Sequence, residues 1–301
     1  MENIKNILFI GLGNMGLPMA SQLLKAGYTV YGVDANTQAE KRFASLGGET
    51  GFPLEFIMKK ADVIMTSLPT PQIIENVYLG ENGIIEHAHS SQLFIDFSTV
   101  SPKLNEKISE ACSHKGAAYL GAPVSGGVIG AEEATLTIMA GGPKEAFDKA
   151  VPLLEKMGSD LFHVGASPSS GTVIKLLNNL MIGFYTQAVA ESVTLAEKMG
   201  VDSETLFEIL DVSYGQSRIY ERNYKQFIAP NHYKPGFATN LLLKDLKLVK
   251  EMAVQCKGEL PIGDKLIELY EAAVDKGYGE DDMASVYLML KNTASYEKEN
   301  V

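Results

Sequence analysis

Cysteine is scarce in this chain: two in 301 residues, Cys112 and Cys256. So few, so far apart, exclude a disulfide framework and fit a reducing compartment. Cations are also short, with 26 Lys and Arg against 37 Asp and Glu for a formal net charge of −11. An acidic surface disfavours nucleic acids and anionic membranes, which are polyanions. A small acidic ligand would therefore need a local cationic pocket. No apolar stretch reaches the roughly 18 residues that a membrane span needs. The first apolar run, Ile7 to Ile10, is too short for a secretory signal and leads straight into glycines. Internal repeats, low-complexity tracts, a G-x-S-x-G elbow and a Cys–His pair are all missing. His87-x-His89 has no Cys or carboxylate at ligand spacing, so it reads as two loop histidines, and no metal site is expected. What is left is a globular, cytoplasmic protein whose length suggests about two domains, with 46% apolar residues to build their cores.

The apolar residues that are present have a clear order. Ile7-Leu8-Phe9-Ile10 stops at Gly11, as a buried parallel strand does. Helical spacing follows over Pro18–Ala26 and ends at Gly27. Tyr28–Val33, Val63–Leu68, Leu93–Asp96, Ala117–Leu120 and Leu136–Ala140 read as further strands. Strands and helices at such intervals predict βαβ units and a parallel sheet. Around residue 165 the texture changes to the small, turn-rich Gly165-Ala166-Ser167-Pro168-Ser169-Ser170-Gly171. Val173–Met199 then predicts a helix of about seven turns, and helices are also expected over Ser203–Leu210, Leu241–Gln255, Gly263–Lys276 and Asp281–Lys298.

Gly11-Leu12-Gly13-Asn14-Met15-Gly16 stands between the first predicted strand and the first predicted helix. G-x-G-x-x-G in that context is a dinucleotide-binding fingerprint. The first glycine makes the tight turn, the second lets backbone approach a pyrophosphate, and the third packs helix on strand. The helix N-terminus then offers N–H groups to the phosphates. Asp34 follows Gly13 by 21 positions, at the end of the second predicted strand. A carboxylate there bonds a ribose 2′-hydroxyl and repels a 2′-phosphate, favouring NAD over NADP. Lys41 and Arg42, seven and eight residues further on, are cations that could reach round. The predicted fold is α/β: a Rossmann domain over residues 1–165, joined by the long helix to an all-α domain over residues 166–301.

Four other places stand out. Gly121 to Gly130 is rich in small residues and reads either as an ordinary turn or as backbone presented to an anion. Lys175 and Asn179 are spaced i, i+4 on the long helix, with Asn178 beside them and Leu176, Leu177, Leu180 and Met181 around them. Such groups are costly unless partnered, so they are either a satisfied polar face or a functional one. Lys244-Asp245 interrupts another apolar helix, and a solvated charge pair is the commoner reading. Arg218, Tyr220, Arg222 and Lys225 could read an anionic group, but a solvated helix face is again commoner.

Four motifs occur in one order: Phe9 to Gly16; Asp96-Phe97-Ser98-Thr99-Val100-Ser101-Pro102; Gly121-Ala122-Pro123-Val124-Ser125-Gly126-Gly127; and Gly171-x-x-x-Lys175-x-x-Asn178-Asn179 followed by Lys244-Asp245. Together they resemble the β-hydroxyacid dehydrogenase family, which includes 3-hydroxyisobutyrate dehydrogenases and tartronate semialdehyde reductases, over nearly the whole chain. The resemblance implies a Rossmann domain with an all-helical partner domain, a homodimer or homotetramer, and oxidation of a small hydroxy carboxylate with NAD(P). It implies that Gly11, Leu12, Gly13, Asn14, Met15 and Gly16 hold the pyrophosphate and that Asp34 holds the adenosine ribose. Leu68, Pro69, Thr99 and Lys244 would lie along the cofactor. Ser125, Gly126 and Gly127 would take the substrate carboxylate, Lys175 would be the catalytic acid/base, and Asn179 would orient the substrate, with Asn178 and Asp245 in support. Reductases of glyoxylate or succinic semialdehyde and a non-catalytic NAD-binding protein are the alternatives on the same fold. Two positions depart from the family pattern: 121 is Gly where many members have Asp or Glu, and 134 is Ala where many have Gly.

Overall fold

The computed structural model describes residues 4–296. Its first part alternates β1 Asn6–Ile10, α1 Gly16–Lys25, β2 Thr29–Val33, α2 Thr37–Ser45, α3 Leu54–Lys60, β3 Val63–Thr66, α4 Pro71–Leu79, β4 Leu93–Asp96, α5 Pro102–His114, β5 Ala118–Gly121, β6 Val124–Ser125, α6 Gly127–Glu132, β7 Leu136–Gly141, α7 Lys144–Leu154 and β8 Gly158–Gly165. The strands form one sheet in the order β2-β1-β3-β4-β5-β7-β6, with β8 paired to β7. β2 through β5 are mutually parallel, whereas β7 runs antiparallel to β5 and β6. The strand order reverses between β1 and β3. Open α/β sheets take their ligands in the crevice beyond the strand ends at such a reversal.

Alternation along the strands explains why both faces of this sheet are covered. Ile7 and Phe9 of β1 join one buried cluster with Met19, Leu23 and Phe43 of α1 and α2 and with Phe147 of α7. Leu8 and Ile10 join another with Ile57, Ile74, Tyr78 and Ile108 of α3, α4 and α5. Successive side chains of a strand point to opposite faces, so a strand apolar at every position is one with helices on both sides.

Two compact units make up the chain, Met1–Lys175 and Leu176–Val301. The first extends past the small-residue tract because the start of α8, Ser170–Lys198, is pressed onto the sheet: a Cβ at Gly171 would lie 1.8 Å from the Met139 carbonyl oxygen of β7. The second unit holds the rest of α8 with α9 Ser203–Asp211, α10 Arg218–Asn223, α11 Thr239–Cys256, α12 Pro261–Ala273 and α13 Val286–Tyr296. Val193, Phe207, Tyr224, Leu246, Tyr270 and Val286 are among its buried core. The helix expected over 281–298 starts late, after a 3-10 turn at Met283–Ser285, and positions 297 and 298 lie outside the described residues. No helix among the described residues is long and apolar enough to cross a membrane.

Among the described residues two strands, β6 and β8, lie where none is expected. β8 pairs only with β7, and Ser159, Asp160 and Phe162 are exposed along it. An edge strand wet on one side has no continuous apolar run to announce it. Between α6 and β7, Ala134 sits at φ 58°. This left-handed backbone suits glycine, which accounts for the family's glycine here; nothing in the structure explains the alanine at position 134. Replacing Ala134→Gly should raise stability by about 0.5–1 kcal/mol, the released strain less the added freedom of the unfolded chain. Urea midpoints of the two proteins check this.

Candidate active site

The glycine loop has the geometry its sequence demands. Gly11 takes φ 93°, and a Cβ on it would lie 2.2 Å from the Ser67 carbonyl oxygen. A Cβ at Gly16 would meet the Gly11 carbonyl oxygen at 1.8 Å, so the start of α1 sits directly on the turn. Gly13 is exposed, with no atom within 4 Å of its Cβ direction. Turn, close packing and an open cradle are the three requirements for seating a pyrophosphate. The first turn of α1 holds no acidic residue, and no side chain caps it, which leaves its N–H groups for an anion.

Asp34 follows β2 and is fixed from two sides. Its Oδ2 accepts the Leu12 N–H at 2.6 Å and its Oδ1 accepts the Asn36 N–H at 2.7 Å. The carboxylate is therefore tied to the glycine loop. Leu68 follows β3, half-buried, and its N–H donates to Ser98 Oγ at 2.9 Å, tying it to the loop after β4; Pro69 is exposed and Thr99 half-buried. Ser98 had no role in the sequence reading.

Beneath these loops lies a buried polar network. Asp96 Oδ1 accepts from Thr66 Oγ1 at 2.8 Å and from the Ser98 N–H at 3.0 Å. Thr66 also bonds Tyr78, and the Tyr119 hydroxyl approaches Asp96 Oδ2 at 3.5 Å. Asn105 donates to Tyr119, and Thr172 of α8 donates to Asn105 Oδ1 at 2.7 Å. The network ends three residues before Lys175 and so pins the turn of α8 that precedes it. Burial pushes the Asp96 carboxyl up, although its hydrogen bonds oppose the shift. Burial, reinforced by the Asp96 charge, pushes the Tyr78 and Tyr119 hydroxyls well above the usual phenol range.

The small-residue stretch is not one loop. Gly121 ends β5, Ser125 lies on the short strand β6 opposite Thr137, Gly126 precedes α6, and Gly127 is its first residue. Gly126 and Gly127 are exposed and take φ 127° and 64°. Gly121 stands apart from them. It is buried, and a Cβ there would lie 2.4 Å from the Pro168 carbonyl oxygen and 3.0 Å from the Asn105 amide. The departure at position 121 thus follows from packing against the tract before α8.

Lys175 and Asn179 lie one turn apart on α8, Lys175 half-buried and Asn179 fully buried. In the second unit Asn179 Nδ2 donates to Asp245 Oδ2 at 2.5 Å, and Asn178 Nδ2 donates to Asn179 Oδ1 at 3.1 Å. Lys244 Nζ stands 3.1 Å from Asp245 Oδ1 in an ion pair. Lys244-Asp245 is therefore no solvated pair: Asp245 is 2% exposed and joins both α11 and α8. Arg222 is bound bidentately by the buried Asp282, Lys225 pairs with Glu221, and Tyr220 is buried. Among the described residues no group of three or more His, Cys, Asp or Glu is placed to hold a metal ion.

A doubly wound sheet with this loop and carboxylate is the apparatus of a nicotinamide-dinucleotide dehydrogenase. Residues 6–165 match the family described as the NAD binding domain of 6-phosphogluconate dehydrogenase, and residues 169–290 match the family described as NAD-binding of NADP-dependent 3-hydroxyisobutyrate dehydrogenase. Similar proteins include a 3-hydroxyisobutyrate dehydrogenase of Pseudomonas aeruginosa, 37% identical over 95% of this chain and 98% of that one. A 2-(hydroxymethyl)glutarate dehydrogenase of Eubacterium barkeri is 36% identical over 95% of each chain. The structure of a Mycobacterium tuberculosis 3-hydroxyisobutyrate dehydrogenase with L-serine superposes with a TM-score of 0.88 at 32% identity, covering 96% of this chain and 100% of that one. The chain belongs to the β-hydroxyacid dehydrogenase family, NAD(P)-dependent oxidoreductases acting on CH–OH groups.

The raised carboxyl of Asp96 has a consequence for stability. A folded-state value above the ordinary 3.8 means that the folded protein holds this proton more tightly than the unfolded chain. Stability from the protonated form is complete below 3.8 and falls as pH rises through the folded-state value. Asp96→Asn removes that titration, so its destabilisation relative to wild type should be larger near pH 4 than at pH 8. Urea midpoints at the two pH values measure the difference.

Proposed function

We propose that this chain interconverts a small 3-hydroxy acid of the 3-hydroxyisobutyrate kind and its semialdehyde, with NAD as cofactor and Lys175 moving the proton. The observation that carries this reading is the polar row on α8: Lys175 stands one turn from Asn179, whose amide is fixed by the buried Asp245. In oxidation the β-hydroxyl passes its proton to the neutral amine of Lys175; in reduction the protonated amine returns it to the forming alkoxide. A bound nicotinamide supplies the hydride acceptor or donor. The Asn179 amide nitrogen has two donors, and one is committed to Asp245. The other is left to orient the substrate.

The remaining roles follow the same reading. Gly11, Leu12, Gly13, Asn14, Met15 and Gly16 hold the pyrophosphate and Asp34 the adenosine ribose, with Leu68, Pro69, Thr99 and Lys244 along the cofactor. Ser125, Gly126 and Gly127 take the substrate carboxylate. The positive φ of both glycines supports this, because such backbone turns successive N–H groups toward an anion. Asn178 and Asp245 support Asn179, and Asp245 also supports Lys244. We place the domain boundary at residues 165/166, a reading supported by the gap between the two family matches, ten residues before the division between the compact units. A cytoplasmic location accords with the free thiols of Cys112 and Cys256. Assembly as a homodimer or homotetramer is supported by apolar side chains left exposed on α8: Leu177, Met181, Tyr185 and Leu195.

The test is NADH formation from 3-hydroxyisobutyrate, 2-(hydroxymethyl)glutarate, L-serine and glycerate, with wild type and Lys175→Ala side by side. One substrate should turn over, and Lys175→Ala should lower its kcat by about 10²–10⁴-fold while NADH still binds by fluorescence titration. Wild-type turnover in Lys175→Ala would place proton transfer elsewhere. Silence across the panel, with NADH still bound, would favour a reductase of glyoxylate or succinic semialdehyde, assayed in the reverse direction.

A further inference from the structure

NAD and NADP differ at one position, the 2′-oxygen of the adenosine ribose, where NADP carries a phosphate of about −1.5 to −2 charges. The surroundings of Asp34 hold a second acid. Asn36 bonds Asp34 Oδ1 through its N–H, and its own Oδ1 accepts from the Gln38 N–H, capping α2. That cap seats the first turn of α2 against the end of β2. Glu40, the fourth residue of α2, turns back from there, and its Oε1 accepts the Asp34 N–H at 3.1 Å. Phe43 is fully buried, while Lys41 and Arg42 are exposed. The rotation of the helix therefore brings a carboxylate, and neither cation, to the backbone of Asp34.

We infer that Glu40 is a specificity-determining residue, a second carboxylate that excludes the 2′-phosphate of NADP independently of Asp34. The inference rests on the proposed seating of the adenosine ribose at Asp34. Two effects give it force. Glu40 contacts the backbone of the same residue whose carboxylate meets the ribose, so the two charges lie well within the Debye length of about 8 Å at physiological salt, and their fields add with little screening. Glu40 also opposes the positive N-terminal end of α2, which would otherwise attract a phosphate. Discrimination is then built from two like charges on adjoining elements, so neutralising Asp34 alone leaves half of it standing.

Fluorescence titration of the full-length protein with NADH and NADPH tests this without reference to any substrate. Wild type, Glu40→Gln, Asp34→Ala and the double variant are compared by the ratio of the NADPH Kd to the NADH Kd. Glu40→Gln should lower the ratio about five- to tenfold through tighter NADPH binding, the scale of one unit charge at close range near a surface. The double variant should lower it further than either single change. A Glu40→Gln protein that weakens on both cofactors in parallel, leaving the ratio unmoved, overturns the inference, because Glu40 then only shapes the loop. An Asp34→Ala protein with wild-type NADH affinity and an unmoved ratio overturns instead the seating of the ribose. The two failures are thus distinguishable.

Discussion

A carboxylate that is 0% exposed has to be satisfied from within, and Asp96 imposes that demand on the first unit. Its partners are hydroxyls and a backbone N–H drawn from β3, β5 and the turn after β4, with Asn105 of α5 and Thr172 of α8 extending the chain of bonds. Each is neutral, so the network has direction as well as strength. Moving one strand end would break bonds that tie β3, β4, β5, α5 and α8 together. The loops that carry Leu68 and Thr99 and the helix that carries Lys175 are therefore located by one set of hydrogen bonds. A dehydrogenase needs this kind of agreement, because the hydride is exchanged at the carbon and the proton at the oxygen of one C–O group.

Much of this arrangement was legible in the residues. Ile7 to Ile10 and Leu93 to Asp96 read as strands because both sheet faces are buried, and β1 and β4 end where those runs end. The glycine loop was legible because its three positions have separate steric causes, each visible in what a Cβ would strike. The i, i+4 spacing of Lys175 and Asn179 sets them on one side of a helix. What it could not supply was the partner of Asn179: Asp245 comes from 66 residues away, and no local pattern announces a contact at that separation.

The parts that stayed hidden share a cause. β8 is an edge strand with solvent on part of it, so its residues carry no apolar rhythm. The stretch from 121 to 130 is rich in small residues, and composition cannot tell a strand end from a two-residue strand or the start of a helix. Glu40 is one acid among 37 on an acidic chain. Only the capping by Asn36 and the burial of Phe43 fix the helix rotation that aims it at Asp34. Lys41 and Arg42, attractive by proximity in sequence, are turned to solvent by the same rotation.

The contact between Gly121 and Pro168 has a bearing on descent as well as on packing. An acidic side chain at 121 cannot enter this fold while the Pro168 carbonyl oxygen holds its place. The two positions are epistatic: a lineage that acquires an acid at 121 must first, or together, reroute the tract leading into the long helix. Grafting the acid of a relative onto this chain alone would then disturb the seat of α8 before it altered the choice of substrate, and the exchange becomes neutral only when the whole tract travels with it.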